Sequence, residues 1–350
     1  MKIALLTIWH CYNFGAELQA YATIKILQQL GHDVEMINIR LSDCAHPNIN
    51  GRLGNFISKF GPSHRSFRKF WNKHIPTTKR YKTFKALQSS PPKADIYIVG
   101  SDQVWNPEIT GDFTSLYFLD FGPDNIKRIS YASSFGVENW KQPQLKEHVL
   151  NLLKRFKTVT CREESGVKLL ETNFGIKAHN VVDPTLLLQD YSNLTGKTTQ
   201  RSTLVYYPLH HDPELKKNSI EIASQLGLQP INNNENKTII GSVVWDRVSI
   251  PLWIKNIAEA EFVITRSFHG MIFSIIHKRQ FAVVSSKNGR NTRLTNLLHR
   301  LGLDARFFKS FEELKSAKPW KQPIDYNVVT PKLNLIREES LNILKDSIAL

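Results

Sequence analysis

The first forty residues determine the class of fold. Residues 2–39 read KIALLTIWHCYNFGAELQAYATIKILQQLGHDVEMINI. The apolar run Lys2–Trp9 is typical of a buried strand, a polar turn follows at His10–Gly15, and apolar residues then recur at helical spacing until Gly31. A second strand is predicted at 32–39. Because strands joined by a helix run parallel, ligands are expected at the carboxyl ends of these strands.

The same alternation continues along the rest of the chain. Apolar runs predict strands at 95–99, 128–132, 158–161, 180–182, 203–208, 239–241, 261–265 and 280–285. Helical spacing predicts helices at 163–171, 213–226, 251–260 and 271–277. A polar stretch broken by Gly196 marks a domain boundary. We therefore predict an α/β protein of two Rossmann-like domains facing a cleft: 1–195, 196–325, and a terminal helix within 326–350 that could cross back to the first domain.

The composition limits the class and location of the protein. Of 350 residues, 41% are hydrophobic and 10% aromatic, which is ordinary for a globular enzyme and excludes disordered and fibrous classes. Cys11, Cys44 and Cys161 are too far apart in sequence for a disulfide framework, which favours a reducing cytosol. No run approaches the roughly 18 apolar residues of a membrane span, and the first apolar run lacks a signal-peptide cleavage site. A cytoplasmic protein is predicted, with a peripheral position at the inner face of the cell membrane as an option.

The positive charge is concentrated in one segment. Lys and Arg outnumber Asp and Glu by 46 to 31, and the segment 51–93 holds eleven basic residues, with no acid between Asp43 and Asp95. Three interpretations remain open: an anionic-membrane surface, a nucleic-acid surface, or a helical hairpin with core aromatics and solvated cations. The interleaved aromatic residues are Phe56, Phe60, Phe67, Phe70, Trp71, Tyr81 and Phe84.

A site for a small anion is predicted in the second half. Residues 262–274 read FVITRSFHGMIFS, in which a short turn separates an apolar strand from a helix. Backbone N–H groups at the helix start, the Ser267 hydroxyl, and the Arg266 and His269 side chains would converge on a dianion or trianion. The alternative is a helix capped by Ser267 with His269 packed beneath it.

Two polar loops in the first half follow predicted strands. Residues 100–107 read GSDQVWNP, in which Asp102 could be a general base for a sugar hydroxyl and Trp105 a stacking platform. The alternative for Asp102 is a cap on the next helix. The other loop, Tyr12–Glu17, lacks the glycine spacing of a dinucleotide fingerprint.

The remaining histidine and cysteine residues do not predict a metal site. His10, His210 and His211 lack the carboxylate or cysteine spacing of a metal centre, so a cleft lining or a solvated turn is the favoured interpretation. Cys11 is given no role.

Taken together, six segments resemble the polysaccharide pyruvyl transferase family. The resemblance extends to about residue 344 and is carried by residues 13–22 (NFGAELQAYA), 100–106 (GSDQVWN), 130–136 (SYASSFG), 162–166 (REESG), 183–187 (DPTLL) and 267–270 (SFHG).

This resemblance implies a fold like that of the B-type glycosyltransferases and a defined reaction. The enolpyruvyl unit of phosphoenolpyruvate would be transferred to two hydroxyls of a sugar, giving a cyclic pyruvate ketal and phosphate. The sugar would be a lipid-linked or nucleotide-linked precursor of a bacterial capsule, exopolysaccharide or cell-wall glycan. The mechanism requires no metal or cofactor, and no nucleic-acid partner is expected. The alternative is a nucleotide-sugar-dependent glycosyltransferase.

The site residues are predicted from the local sequence and from the resemblance together. The family often shows Arg-Leu-His-Gly where this chain has Ser267-Phe268-His269-Gly270. Arg266 lies one place earlier, so Arg290 or Arg293 could supply the guanidinium instead. Asp102 and His269 are the predicted catalytic residues. The predicted substrate-binding residues are Arg266, Ser267, Gly270, Arg290, Arg293, Asn13, Gly15, Gln103 and Trp105.

Overall fold

The computed structural model describes residues 1–40, 62–208, 211–234, 239–240, 243–244, 248–286 and 291–349. The described residues divide into two compact units. Unit 1 contains 1–40, 71–188 and 334–349, and unit 2 contains 62–70 and the described residues of 189–333.

Unit 1 is built on a parallel sheet. Its strands are β1 (Lys2–Leu6), β2 (Asp33–Asn38), β3 (Thr77–Arg80), β4 (Ile96–Val99), β5 (Lys127–Ser130) and β6 (Phe156–Thr158). They pair in the order β3-β2-β1-β4-β5-β6, all parallel. Two short strands, β7 (Thr160–Cys161) and β8 (His179–Asn180), form a separate parallel pair. The strand order reverses between β1 and β4, and ligands of such sheets bind at the carboxyl ends beside this reversal.

The first helix lies where the sequence pattern predicts it. α1 (Phe14–Gln29) is buried on most of its surface, and it is followed by Gly31, which has a positive φ of 84°. The other helices up to residue 188 are α2 (Pro62–His74), α3 (Phe84–Ser89), α4 (Pro107–Thr110), α5 (Thr114–Tyr117), α6 (Lys146–Leu153), α7 (Glu164–Phe174) and α8 (Pro184–Leu187). Two 3-10 turns lie at Gly111–Phe113 and Pro143–Leu145.

Unit 2 has its own parallel sheet. Its strands are β9 (Thr203–Tyr207), β10 (Gln229–Asn232), β13 (Phe262–Thr265), β14 (Gln280–Val284) and β15 (Phe307–Phe308), in the order β10-β9-β13-β14-β15. β11 (Ile239–Ile240) and β12 (Val243–Val244) form an antiparallel pair. The order reverses between β9 and β13, so this edge is the expected ligand position in unit 2.

The second half of the chain contains the remaining helices. They are α9 (Ser192–Thr195), α10 (Pro213–Leu226), α11 (Ile250–Glu259), α12 (Phe268–Ile276), α13 (Thr292–Leu301) and α14 (Phe311–Ala317), with 3-10 turns at Asp304–Arg306 and Pro319–Lys321. The last helix, α15 (Tyr326–Ile348), begins in unit 2, and its residues from Asn334 onward belong to unit 1. Among the described residues, no helix combines the length and the apolar character that a membrane span needs.

The aromatic residues of the basic segment are core residues wherever the structure describes them. Phe67, Phe70, Trp71 and Tyr81 are buried, and Phe84 packs against the core. The cations beside them, such as Lys69, are exposed. Strand β3 lies between helices α2 and α3, so this part of the segment is not the helical hairpin of the third open interpretation, although its described aromatic residues are buried or pack against the core as that interpretation expected. Residues 51–61, with Arg52, Phe56, Lys59 and Phe60, lie outside the described part of the chain.

Candidate active site

The loops that follow β1 and β4 lie side by side at the switch point of unit 1. The Thr7 hydroxyl donates to the Ser101 carbonyl at 2.7 Å. A Cβ on Gly100 would meet Thr7 Cβ at 3.0 Å, so the close approach of the two loops favours glycine there. The buried Gln19 amide of α1 donates to Thr7 Oγ1 at 3.0 Å and to the Ile8 carbonyl at 3.0 Å, which fixes the start of the first loop.

A buried guanidinium joins three carboxyl groups at this edge. Arg162 Nη1 lies 2.9 Å from Asp183 Oδ2, Nη2 lies 3.7 Å from Asp102 Oδ1, and Nε lies 3.8 Å from Glu163 Oε2. The Arg162 side chain is only 1% exposed. These acids raise the pKa of Arg162 against the opposing effect of its burial. The group carries three acids and one base, a formal excess of two negative charges.

Asp102 occupies a strained and accessible position in this group. Its φ is 71°, in the left-handed region that non-glycine residues rarely adopt, and its side chain is 18% exposed. Its carbonyl accepts from Val104 and Ser134, which ties the loop to the segment after β5. The capping role left open for Asp102 is taken by Asn106, whose side chain accepts from the Glu108 N–H at the start of α4. Asp102 is therefore not the cap of the next helix.

A second carboxyl group, Glu17, is completely buried beneath the loop after β1. Glu17 Oε1 accepts from the Cys11 N–H at 3.0 Å, and Oε2 accepts from the Trp71 indole N–H at 2.6 Å. Burial raises the pKa of Glu17 to about 7, and these hydrogen bonds only partly oppose the shift. Glu17 thus holds the loop and Trp71 together.

Two of the predicted unit 1 binding residues, Trp105 and Asn13, have structural roles. Trp105 is fully buried, stacks on Phe118 and donates to the Tyr117 carbonyl, so the prediction of a sugar platform at Trp105 was wrong. Asn13 caps α1, accepting from the N–H groups of Gly15 and Ala16.

Gln103, in contrast, remains partly exposed at the site. Its side-chain oxygen accepts from Asn106 at 2.9 Å. Gly136 has a φ of 64°, and a Cβ on it would meet that oxygen at 2.1 Å, so glycine is favoured opposite Gln103.

The predicted anion site of unit 2 has the expected local structure. β13 ends at Thr265, Ser267 is the N-cap of α12, and its hydroxyl oxygen accepts from the Gly270 N–H at 3.4 Å. His269 lies in the first turn of α12 and is 8% exposed. A Cβ on Gly270 would meet Thr265 Oγ1 at 2.5 Å, so only glycine lets the helix begin this close to the strand.

Arg266 has a different environment from the one predicted. Its guanidinium contacts Asp212 Oδ2 at 3.1 Å and Glu214 Oε2 at 2.8 Å, and it donates to the Ser285 carbonyl at 2.7 Å. It also lies over the Phe311 ring at 5.4 Å. Two carboxylates therefore neutralise Arg266, which ties the start of α12 to the start of α10.

Arg293 contacts a residue in the first turn of α12. Its guanidinium lies 5.7 Å from the centroid of the Phe268 ring, the residue next to His269. The nearby Asn291 side chain donates to Ser285 Oγ and accepts from the Ser286 N–H, which joins the start of α13 to the end of β14. Arg290 lies outside the described residues.

Sequence reasoning gave no role to Glu17, Arg162, Glu163 or Asp183. Arg162 and Asp183 do follow the short strands β7 and β8, and charged residues directly after apolar runs are a usable signal. Glu17 interrupts an otherwise apolar helix face near its start, which is a weaker one.

Each unit is Rossmann-like, with polar residues gathered at the carboxyl edge of its sheet, and this defines an α/β protein of the B-type glycosyltransferase fold, as predicted. The UDP-N-acetylglucosamine 2-epimerase of Rickettsia bellii is similar with a TM-score of 0.53 and 11% identity, covering 99% of this chain and 96% of that chain. The UDP-GlcNAc 2-epimerase of Methanocaldococcus jannaschii gives a TM-score of 0.52 at 12% identity, covering 91% of this chain and 92% of that one. At this identity the likeness concerns the fold alone.

The chain belongs to the polysaccharide pyruvyl transferase family, whose model matches residues 13–288. The family predicted from the sequence is confirmed. No curated protein matches the chain significantly.

Proposed function

We propose that the protein transfers the enolpyruvyl unit of phosphoenolpyruvate to two hydroxyls of a sugar, forming a pyruvate ketal and releasing phosphate. The observation that carries this proposal is the family match over residues 13–288, which spans both the Asp102 loop and the Ser267–Gly270 turn. The acceptor would be a lipid-linked or nucleotide-linked precursor of a bacterial capsule, exopolysaccharide or cell-wall glycan, modified in the cytoplasm.

The donor is assigned to unit 2 on grounds of charge. Phosphoenolpyruvate carries a phosphate and a carboxylate, which favour cations and helix N-termini. His269 and the Ser267 hydroxyl lie at the start of α12, and Arg293 lies over the neighbouring Phe268 ring. Because Asp212 and Glu214 already neutralise Arg266, we assign the main guanidinium contact to Arg293 and a positioning role to Arg266.

The acceptor is assigned to unit 1 for the opposite reason. The excess of carboxylates around Arg162 repels an anionic donor but suits hydroxyl groups, which donate hydrogen bonds to carboxylates. Asp102 combines partial exposure with a position at the switch point, so it is the proposed general base.

The proposed reaction has two additions. The methylene carbon of phosphoenolpyruvate gains a proton, the first sugar hydroxyl bonds to the central carbon, and Asp102 takes the proton of that hydroxyl. The bond from the central carbon to the phosphate oxygen then breaks, with His269 holding the departing phosphate. The second hydroxyl bonds to the same carbon and loses its proton, which closes the ketal. Of the two hydroxyl protons released, one balances the proton gained by the methylene carbon and the other leaves with the phosphate.

The test is incubation of the protein with phosphoenolpyruvate and candidate glycans, followed by mass spectrometry and a phosphate assay. Ketal formation adds one pyruvate to the glycan and removes one water, with one phosphate released for each product. A nucleotide-sugar glycosyltransferase would instead consume a nucleotide sugar and release no phosphate from phosphoenolpyruvate. That outcome would replace the proposal.

Two substitutions separate the donor and acceptor steps. We expect Asp102→Asn to lower turnover by about 10²- to 10⁴-fold with unchanged phosphoenolpyruvate affinity, because it removes only the base.

His269→Ala should weaken phosphoenolpyruvate binding in calorimetry without the acceptor present. A folded His269→Ala protein with full donor affinity and full turnover would contradict the site assignment.

A further inference from the structure

The loop after β1 carries aromatic side chains that the proposed reaction has not used. His10 stacks on Trp71, with ring centroids 3.6 Å apart and an interplanar angle of 26°. The Tyr12 ring lies 5.1 Å from Trp71 at a tilt of 52°. Trp71 is 3% exposed, whereas His10 and Tyr12 are partly exposed. Trp71 is thus the buried layer, and His10 covers it on the side of the loop.

The arrangement is held in place from below. Glu17 accepts from the Trp71 indole at 2.6 Å and from the Cys11 N–H at 3.0 Å, so one buried carboxyl group fixes both the ring under His10 and the backbone beside it. Glu17 itself is fully buried in the first turn of α1. The ring positions are therefore set before any ligand arrives, which reduces the entropy lost on binding.

The backbone of the same loop is strained. His10 has a φ of 61° and Tyr12 a φ of 57°, two left-handed residues within three positions. Such conformations are unfavourable for non-glycine residues and concentrate at functional sites. Asp102, in the neighbouring loop, also has a left-handed φ of 71°. The Thr7 to Ser101 hydrogen bond places these two loops next to each other.

We propose that His10 is the stacking platform for the acceptor sugar, with Trp71 and Glu17 as its positioning residues. This inference rests on the proposed function and names the acceptor contact within it. The apolar C–H face of a hexopyranose would lie on the His10 ring, leaving its hydroxyls to reach Asp102, the partly exposed carboxylate of the neighbouring loop. His10 replaces Trp105, whose full burial removes it from this role.

The test measures sugar binding without phosphoenolpyruvate. Saturation-transfer NMR is recorded on the full chain with methyl hexopyranosides of gluco, galacto and manno configuration. We expect transfer to the C–H protons of one sugar face in the parent protein. His10→Leu, which keeps side-chain bulk but no aromatic face, should weaken binding by about tenfold, and His10→Phe should stay within about threefold of the parent. His148→Ala, an exposed histidine of α6, is the matched control and should bind normally.

The positioning role of Trp71 is tested by comparing the affinity for the sugar with the affinity for phosphoenolpyruvate. Trp71→Phe keeps a ring under His10 but removes the N–H that Glu17 accepts, so sugar affinity should fall while phosphoenolpyruvate affinity stays unchanged. Equal loss of both affinities would assign Trp71 to general stability and overturn its positioning role. Unchanged sugar binding in His10→Leu, or no transfer to any of the three sugars in the parent, would overturn the platform. Because this binding does not involve turnover, sugar binding without phosphoenolpyruvate turnover would instead contradict the proposed function alone.

Discussion

At the scale of one residue, the buried carboxyl group of Glu17 makes the folded protein less stable when it ionises. Its carboxyl group is completely buried, and burial raises its pKa from 4.5 to about 7. The unfolded chain releases this proton at the lower pKa, so the folded state holds the proton more tightly. The free energy of unfolding therefore falls as the pH rises from about 4.5 to about 7 and stays lower above that.

The matching measurement is urea denaturation of the parent and of Glu17→Gln at about pH 5 and about pH 8. Between these values the parent should lose about 1–3 kcal/mol relative to the variant, because only the parent has to ionise a buried group. Glu171→Gln removes an exposed carboxyl group and should show no such difference. Parallel profiles for the parent and Glu17→Gln would contradict the assignment of a raised pKa.

Arg266 and Arg293 are a matched pair of arginines in unit 2 with different expected roles. Arg293→Ala should weaken phosphoenolpyruvate binding by about tenfold or more, the loss of one charge-assisted contact, with little change in melting temperature. Arg266→Ala should instead lower stability by about 1–2 kcal/mol, because Asp212 and Glu214 lose their shared cation in a partly exposed position. Calorimetry and thermal unfolding of both variants provide the comparison. The reverse result would return the donor contact to Arg266.

At the scale of elements, helix α12 depends on the glycine in its first turn. An alanine Cβ at Gly270 would lie 2.5 Å from Thr265 Oγ1, and Thr265 is a fully buried, β-branched residue with little freedom to move. Gly270→Ala should therefore lower the free energy of unfolding by about 1–3 kcal/mol and weaken donor binding, since the helix start must shift. Gly166→Ala in helix α7 is the control, because its Cβ would meet Cys161 at a milder 3.2 Å. Equal effects of the two substitutions would argue against a special constraint at Gly270.

At the scale of the whole molecule, the net charge of +15 bears on association with surfaces. Arg65 and Lys69 of α2 are exposed and Arg68 is partly exposed, so this helix places positive charge at the surface. Each such cation is worth about 1 kcal/mol near the surface. Reversing the charges of Arg65, Arg68 and Lys69 should abolish sedimentation with phosphatidylserine vesicles and leave turnover of a soluble acceptor intact.

The control variant reverses the same number of positive charges at a different part of the surface. Lys146, Lys154 and Lys168 are exposed cations of unit 1, and their reversal should preserve vesicle binding. Equal loss in both triple variants would indicate a general charge effect, and absence of parent binding to the vesicles would remove the membrane interpretation.

The sequence alone determined the features that depend on neighbours along the chain. The first strand–helix–strand unit and the turn from β13 into α12 were predicted, because apolar periodicity, Ser267 and Gly270 act locally. Edge strands β3 and β10 were missed, since TTKR and QPIN are polar and carry no such periodicity.

Only the tertiary structure decided which polar residues meet and which aromatic residues are covered. Arg162 reaches Asp102 and Asp183 across long stretches of chain, and the acids that neutralise Arg266 come from the start of another helix. Trp105 and His10 both follow strands in the sequence, yet Trp105 packs on Phe118 in the core and His10 remains partly exposed. The physical reason is that burial and ion pairing are set by what the folded chain brings alongside a residue, which local pattern does not encode.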